Sequence, residues 1–188
     1  MRNAIILHGL VGKKEYYNEK SPSGSNYHWL PWLQKQLMIH DIKADTPEVP
    51  RPFDFAYRSW VNEVERFDMS PETTLVGHSM GGGFWMRYLS EHSELFIDKV
   101  VLVAPWLDEK HRELTDFFDF DIDPAIVERT NEFIIFSSDD DGKRIQSSLA
   151  LLQEKLPNAT FRSFHGYGHF TVEAMGTAAF PELRDVIL

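Results

Sequence analysis

Short apolar runs alternate with amphipathic stretches along this 188-residue chain. Two of the runs, Val100-Val101-Leu102-Val103 and Phe133-Ile134-Ile135-Phe136, are apolar at every position, which is typical of strands covered on both faces. The runs predict strands at residues 4–8, 42–45, 73–77, 99–104, 132–137 and 160–164. The stretches between them predict helices at 29–40, 56–67, 82–92, 143–156 and from 172 to the C-terminus.

This order of elements predicts a three-layer α/β/α fold with a parallel sheet of about six strands. Right-handed crossovers place the strands in the order 2-1-3-4-5-6, with helices on both faces. Ligands of such a sheet bind at the carboxyl ends of the strands. No linker or repeat divides the sequence, so we expect one domain over residues 1–188.

Two segments interrupt the alternation. Residues 12–28 are polar and rich in Gly, Ser, Asn and Lys, and they predict a long surface loop. Residues 106–129 are acidic and aromatic, and they predict either a small helical lid or a longer crossover.

The charge balance excludes several classes of partner. Nineteen Lys and Arg against 29 Asp and Glu give a formal net charge of −10, with no local basic cluster, so we expect no binding to nucleic acid or to anionic membranes. No apolar run approaches the ~18 residues of a membrane span, and the N-terminal run is too short for a signal peptide. Cysteine is absent, which excludes disulfides and thiolate chemistry and favours a cytoplasmic location.

Gly77-His78-Ser79-Met80-Gly81 lies between a predicted strand and a predicted helix. In that context Gly-x-Ser-x-Gly is the pattern of a nucleophile elbow. The serine occupies a sharp, strained turn, so glycine is needed two residues away on either side. The turn raises Oγ above the sheet at a helix N-terminus. The pattern therefore predicts Ser79 as a nucleophile.

A serine hydroxyl needs a general base, usually a histidine oriented by a carboxylate, and in elbow-type enzymes the acid and then the histidine follow the serine along the chain. His169, between Gly168 and Phe170, follows the last predicted strand, and we predict it as the base. Three aspartates follow the strand before it. We predict Asp140 as the orienting acid, and the spacing leaves Asp139 and Asp141 open as alternatives.

The other histidines have less favourable positions. His165 is the nearest rival, but its place at a strand end favours a surface or structural role. His78 is expected to pack beside the serine, and His8 to mark a backbone turn after the first strand. The remaining ones are expected on loops or helix surfaces: His28, His40, His92 and His111.

Backbone and aromatic groups complete the predicted site. The amides of Met80 and Leu10 are predicted to form the oxyanion hole, because they follow the nucleophile and the first strand. Trp29, Trp32 and Trp106 lie near predicted strand ends and are candidates for the wall of an apolar acyl pocket, although core packing is the commoner fate of such residues.

We expect neither a metal nor a cofactor. Asp119-x-Asp121-x-Asp123 begins like a calcium loop, but Pro124 and Thr130 stand where that loop needs glycine and glutamate. The run is therefore expected to be a solvated acidic crossover.

Five motifs together carry a family resemblance: His8-Gly9, Trp29-x-Pro31-Trp32-Leu33, Gly77-His78-Ser79-Met80-Gly81-Gly82, Ser137-Ser138-Asp139-Asp140 and Gly168-His169-Phe170. With them the chain resembles, essentially end to end, the small α/β-hydrolases of the retinoblastoma-binding protein 9 type. The resemblance implies a compact sheet without the two leading antiparallel strands of larger relatives. It also implies esterase-like chemistry and a triad at the positions of Ser79, Asp140 and His169.

Two features depart from that family. Gly142-Lys143-Arg144 stands where the family commonly has a hydrophobic residue and a proline after its catalytic aspartate, and segment 12–28 is longer than usual. We predict a cofactor-free serine hydrolase that cleaves a small acyl ester, or as a less favoured alternative an amide, through an acyl-enzyme. The alternative is a non-catalytic protein-binding module on the same scaffold, since one family member is named for protein binding; the complete Ser, Asp and His set favours the enzyme.

Overall fold

The computed structural model describes residues 2–110, 112–113 and 115–188. Six parallel strands form one sheet in the order β2-β1-β3-β4-β5-β6, which confirms the predicted topology. The strands are β1 (Asn3–Leu7), β2 (Lys43–Asp45), β3 (Thr73–His78), β4 (Ile97–Val103), β5 (Thr130–Ser138) and β6 (Thr160–Phe164). The expectation for His111 lies outside the described residues.

Seven α-helices are described, and the longer ones pack against the sheet. They are α1 (Lys13–Tyr16), α2 (Leu30–Met38), α3 (Tyr57–Val64), α4 (Met80–Glu91), α5 (Lys143–Lys155), α6 (Val172–Met175) and α7 (Pro181–Ile187). The prediction of one helix from residue 172 onward was wrong. Gly176, with φ 69°, ends α6 in the left-handed conformation, and Pro181 begins α7.

The two irregular segments differ from each other. Segment 12–28 contains the one-turn helix α1 and a 3₁₀ turn at Gly24–Asn26. In its described residues, 106–110, 112–113 and 115–129, the other segment is the longer crossover rather than a helical lid: it buries Phe117 and Phe118 and ends in a 3₁₀ helix at Pro124–Arg129.

The central strands carry the core. Every residue of β3 is buried, and β4 and β5 are buried over their apolar runs, because helices cover both faces of the sheet. The edge strand β6 is more exposed. Within the described residues, no helix is both long and apolar enough to cross a bilayer.

Parallel pairing places the predicted chemistry at one edge. Leu7 pairs with Gly77, and Ser138 pairs with Phe164. The residues that follow β1, β3, β5 and β6 therefore leave the sheet on the same side.

Candidate active site

Ser79 stands in the turn between β3 and α4. Its φ of 52° and ψ of −116° are strained for a residue with a side chain. A Cβ on Gly77 would lie 2.6 Å from the Gly81 carbonyl oxygen, and a Cβ on Gly81 would lie 2.5 Å from that of His8. Both glycines are thus required by close backbone approach, as the elbow pattern predicts.

Ser79, His169 and Asp141 form a continuous chain of hydrogen bonds. Nε2 of His169 lies 2.9 Å from Ser79 Oγ, and Nδ1 of His169 lies 2.9 Å from Asp141 Oδ2. A carboxylate only accepts, so Nδ1 carries the proton and Nε2 is free to accept the serine proton. The Asp141 side chain is 4% exposed, whereas that of His169 is 33% exposed. The imidazole is therefore oriented from the protein side and open toward solvent.

The prediction that Asp140 orients His169 was wrong. Asp140 Oδ1 accepts hydrogen bonds from the Ser138 hydroxyl at 2.5 Å and from the Gly168 amide at 2.9 Å. The Ser138 bond, followed by that of Gly168, lowers the pKa of the Asp140 carboxyl. Asp140 thus holds the backbone one residue before the histidine and does not contact its ring.

All three aspartates bind the loop that carries His169. Asp139 accepts from Nδ1 of His165 at 2.6 Å, which lowers the pKa of Asp139 and raises that of His165. The chain turns after Ser138, so the side-chain alternation of an extended strand no longer applies and three successive carboxylates reach the same loop. His165 is a surface residue, as expected.

His78 connects the turn that carries Ser79 to His169. Its Nε2–H donates to the main-chain carbonyl of His169 at 2.8 Å, and the two imidazole centroids are 5.0 Å apart. Burial holds the pKa of His78 well below its usual value, with the nearby His169 adding to the effect. The sequence predicted packing beside the serine but not this bond.

Two further imidazoles lie beside Ser79. His8 donates from Nδ1 to the Gly9 carbonyl at 2.7 Å and accepts from the Val49 amide at 3.0 Å. His28 accepts from the amide of Val172, at the start of α6, at 3.2 Å. His8 agrees with its predicted place at a backbone turn. His28 was expected on a loop or helix surface, and only the unusual length of segment 12–28 hinted at its place in the site.

Two backbone amides lie beside Ser79. Met80 is the first residue of α4, so its N–H has no helical partner. A Cβ on Gly9 would lie 3.0 Å from Ser79 Cβ, which brings the turn after β1 against the serine. The next amide, that of Leu10, donates to no acceptor among the described residues.

Cavities open on two sides of Ser79, and Leu10, Ser79 and His169 line both. The small lobe, of about 140 Å³, is lined by His8, Gly9, Leu10, Val11, Glu15, Gly24, Tyr27, His28, His78, Ser79, His169 and Thr171. The large lobe, of about 360 Å³, is lined by Leu10, Ser79, Trp106, Asp141, Arg144, Ile145 and His169.

Of the three candidate tryptophans, the structure places one in the site. Trp106 lines the large lobe, and its amide donates to the Ser79 carbonyl at 3.0 Å. Trp29 is fully buried in the core against His78, and Trp32 lies beside Arg184 on α7. For these two, the prediction of a pocket wall was wrong, because packing between α2 and its neighbours takes up their rings.

The comparisons with known proteins identify the family of this chain. Residues 17–187 match the family model described as "Serine hydrolase". The chain is 28% identical to YdeN of Bacillus subtilis (strain 168), a protein named as a hydrolase, over 93% of this chain and 94% of YdeN. The crystal structure of the Bacillus subtilis ydeN gene product superposes with a TM-score of 0.80 at 23% identity, covering 100% of this chain and 97% of that one.

More distant structures share the fold. Est1E from Butyrivibrio proteoclasticus has a TM-score of 0.63 at 13% identity, with 99% of this chain and 85% of that one covered. A bromoperoxidase from Bacillus anthracis has a TM-score of 0.65 at 15% identity, with 99% and 90% covered. The six-stranded parallel sheet and these structural neighbours show that the chain has the α/β-hydrolase fold. This chain belongs to the serine hydrolase family.

Proposed function

We propose that this protein is a carboxylesterase-like enzyme that cleaves small acyl esters through an acyl-enzyme. The observation that supports this most directly is the chain Ser79 Oγ–His169 Nε2 and His169 Nδ1–Asp141, with both distances at 2.9 Å. It is the arrangement in which an imidazole removes a serine proton while a carboxylate stabilises the resulting imidazolium.

The proposed reaction has two halves. Ser79 Oγ attacks the ester carbonyl while His169 Nε2 takes its proton, and the amides of Leu10 and Met80 donate to the oxyanion. The tetrahedral intermediate collapses as His169 returns the proton to the leaving alkoxide oxygen, which releases the alcohol and leaves the acyl group on Ser79. Water activated by His169 then attacks the acyl-enzyme. The carboxylic acid is released and the free serine is regenerated.

The proposal also covers the class of hydrolase, the cellular location and the partners of the protein. The motifs Trp29-x-Pro31-Trp32-Leu33 and Gly168-His169-Phe170 support membership of the small hydrolases of the retinoblastoma-binding protein 9 type. The absence of cysteine supports action in the cytoplasm, and the net charge of −10 supports a small-molecule substrate rather than a nucleic acid or membrane. A protein partner in addition to the substrate is compatible with that class.

Labelling with a serine-directed fluorophosphonate tests this function. Wild type should be labelled and should hydrolyse p-nitrophenyl esters, and a series of increasing acyl length defines the acyl pocket. Ser79→Ala should lose both activities, whereas Ser163→Ala, an exposed serine on β6, should keep both. Absence of labelling and turnover in folded wild type would instead favour the non-catalytic binding module.

A further inference from the structure

One charged side chain that lines the small lobe, the exposed Glu15, has no partner among the described residues. Among the charged side chains that line the two lobes, Asp141 bonds His169 at 2.9 Å and Arg144 bonds Glu113 at 2.7 Å. Glu15 lines the small lobe, and its carboxylate makes no hydrogen bond or ion pair with any residue that the structure describes. Lys13 and Lys14 precede it on α1 but do not line the lobe.

The imidazoles around the small lobe do not offset this charge. His8 and His28 each accept a backbone N–H at one ring nitrogen, so neither can be the doubly protonated cation in this arrangement. His169 accepts the serine hydroxyl in the same way. Burial lowers the pKa values of His8, His28 and His78, which agrees with neutral rings.

An aromatic side chain completes the lobe. Tyr27 lines it, stacks on the His28 ring with centroids 4.1 Å apart, and donates its hydroxyl to Glu173. The pKa of Tyr27 is raised, first by that hydrogen bond, and the carboxylate of Glu15 adds to the effect. The lobe thus combines a tyrosine, neutral imidazoles and one carboxylate, a combination that attracts an alkylammonium group.

We propose that the small lobe receives a cationic group of the substrate, a small substituted ammonium, bound by the Glu15 carboxylate and the Tyr27 ring. This rests on the proposed function, because it names one half of the ester cleaved at Ser79. The volume of about 140 Å³ restricts that half to a few heavy atoms. The large lobe, with Leu10, Trp106 and Ile145, receives the other half.

Two matched pairs of esters test the charge preference. One pair carries a trimethylammonium group in the alcohol half, the other in the acyl half, and each is compared with the isostere that has carbon in place of nitrogen. For one of the two pairs, wild type should favour the cation in kcat/KM by about fivefold or more at low salt, and the preference should fall as salt rises.

Variants assign the preference to one side chain. Glu15→Gln should abolish the preference, so that the cationic ester and its neutral isostere have equal kcat/KM. Glu19→Gln, on the same segment but lining another cavity, should preserve it. No preference in either pair, or a preference that survives Glu15→Gln, would overturn the proposal. Hydrolysis of p-nitrophenyl acetate by wild type distinguishes the two ways in which the test can fail. If this ester is hydrolysed but no charge preference is found, only the cation site is rejected. If it is not hydrolysed, the esterase function is rejected together with the cation site.

Discussion

The side chain of His78 donates a hydrogen bond to the main-chain carbonyl of His169 at 2.8 Å. His78 is bonded covalently to Ser79, so the turn that carries Ser79 also holds the backbone of His169. Ser79 and His169 are thereby fixed relative to each other by a link separate from their own contact at 2.9 Å.

Replacing His78 should reduce turnover without weakening substrate binding. His78→Leu removes the hydrogen-bond donor and leaves the main-chain carbonyl of His169 unsatisfied. We therefore expect kcat to fall by about tenfold to 100-fold with KM little changed. His78→Gln keeps a neutral N–H donor and should recover most of the rate. Steady-state kinetics with one p-nitrophenyl ester measure this, and equal losses in the two variants at equal melting temperature would contradict it.

The three aspartates should differ sharply in kinetics. Asp141→Asn removes the acceptor that orients His169, and kcat should fall by about 10⁴-fold. Asp140→Asn weakens a backbone contact at Gly168, so its loss should be much smaller, and Asp139→Asn should be close to wild type. The three kcat values at neutral pH show which aspartate orients His169. If Asp140→Asn lost the most, the contact between Asp141 and His169 would not be the one that orients the ring.

The Asp139–His165 pair should be visible in a titration. Because Asp139 raises the pKa of His165, the stabilisation that the pair gives is complete below the unfolded histidine pKa and is lost as the pH rises through the folded one. As the pH falls, the ion pair persists until the Asp139 carboxylate is protonated, and the lowered pKa of Asp139 moves that point to lower pH. NMR titration of His165 should show its pKa falling in Asp139→Asn and unchanged in Asp141→Asn.

Gly83→Ala should destabilise the protein although alanine is the better helix former. A Cβ at this position in α4 would lie 2.0 Å from the Trp106 carbonyl oxygen, so the crossover that lines the large lobe must move. We expect a loss of about 2 kcal/mol or more in the free energy of unfolding. Chemical denaturation measures this, and Gly12→Ala, where a Cβ meets nothing within 4 Å, is the control for general effects of the substitution.

The sheet and its order could be predicted because they depend on local patterns. Continuous apolar runs mark β4 and β5, and the elbow glycines mark the turn at Ser79. The acid could not be assigned in the same way. The choice between Asp140 and Asp141 depends on how the chain turns after β5, and a run of three identical residues carries no pattern for that.

Contacts between distant loops were also hidden from the sequence. His28 is held in the site by a hydrogen bond that its Nδ1 accepts from the amide of Val172, a residue 144 positions further along the chain. No periodicity records such a pairing. Trp29 and Trp32 were expected near the site because they lie near predicted strand ends. Their positions in the sequence did not determine which way each ring points at the start of α2.

The position of Ser79 between two lobes has a consequence for the order of product release. Leu10 and His169 line both cavities, so the halves of a bound ester point in different directions from the bond that breaks. In the proposed reaction, the cavity left by the first product would become the route by which water reaches the acyl-enzyme, while the acyl group stays in the other cavity. A bulky alcohol that leaves slowly would therefore block the path of the water needed to complete the cycle.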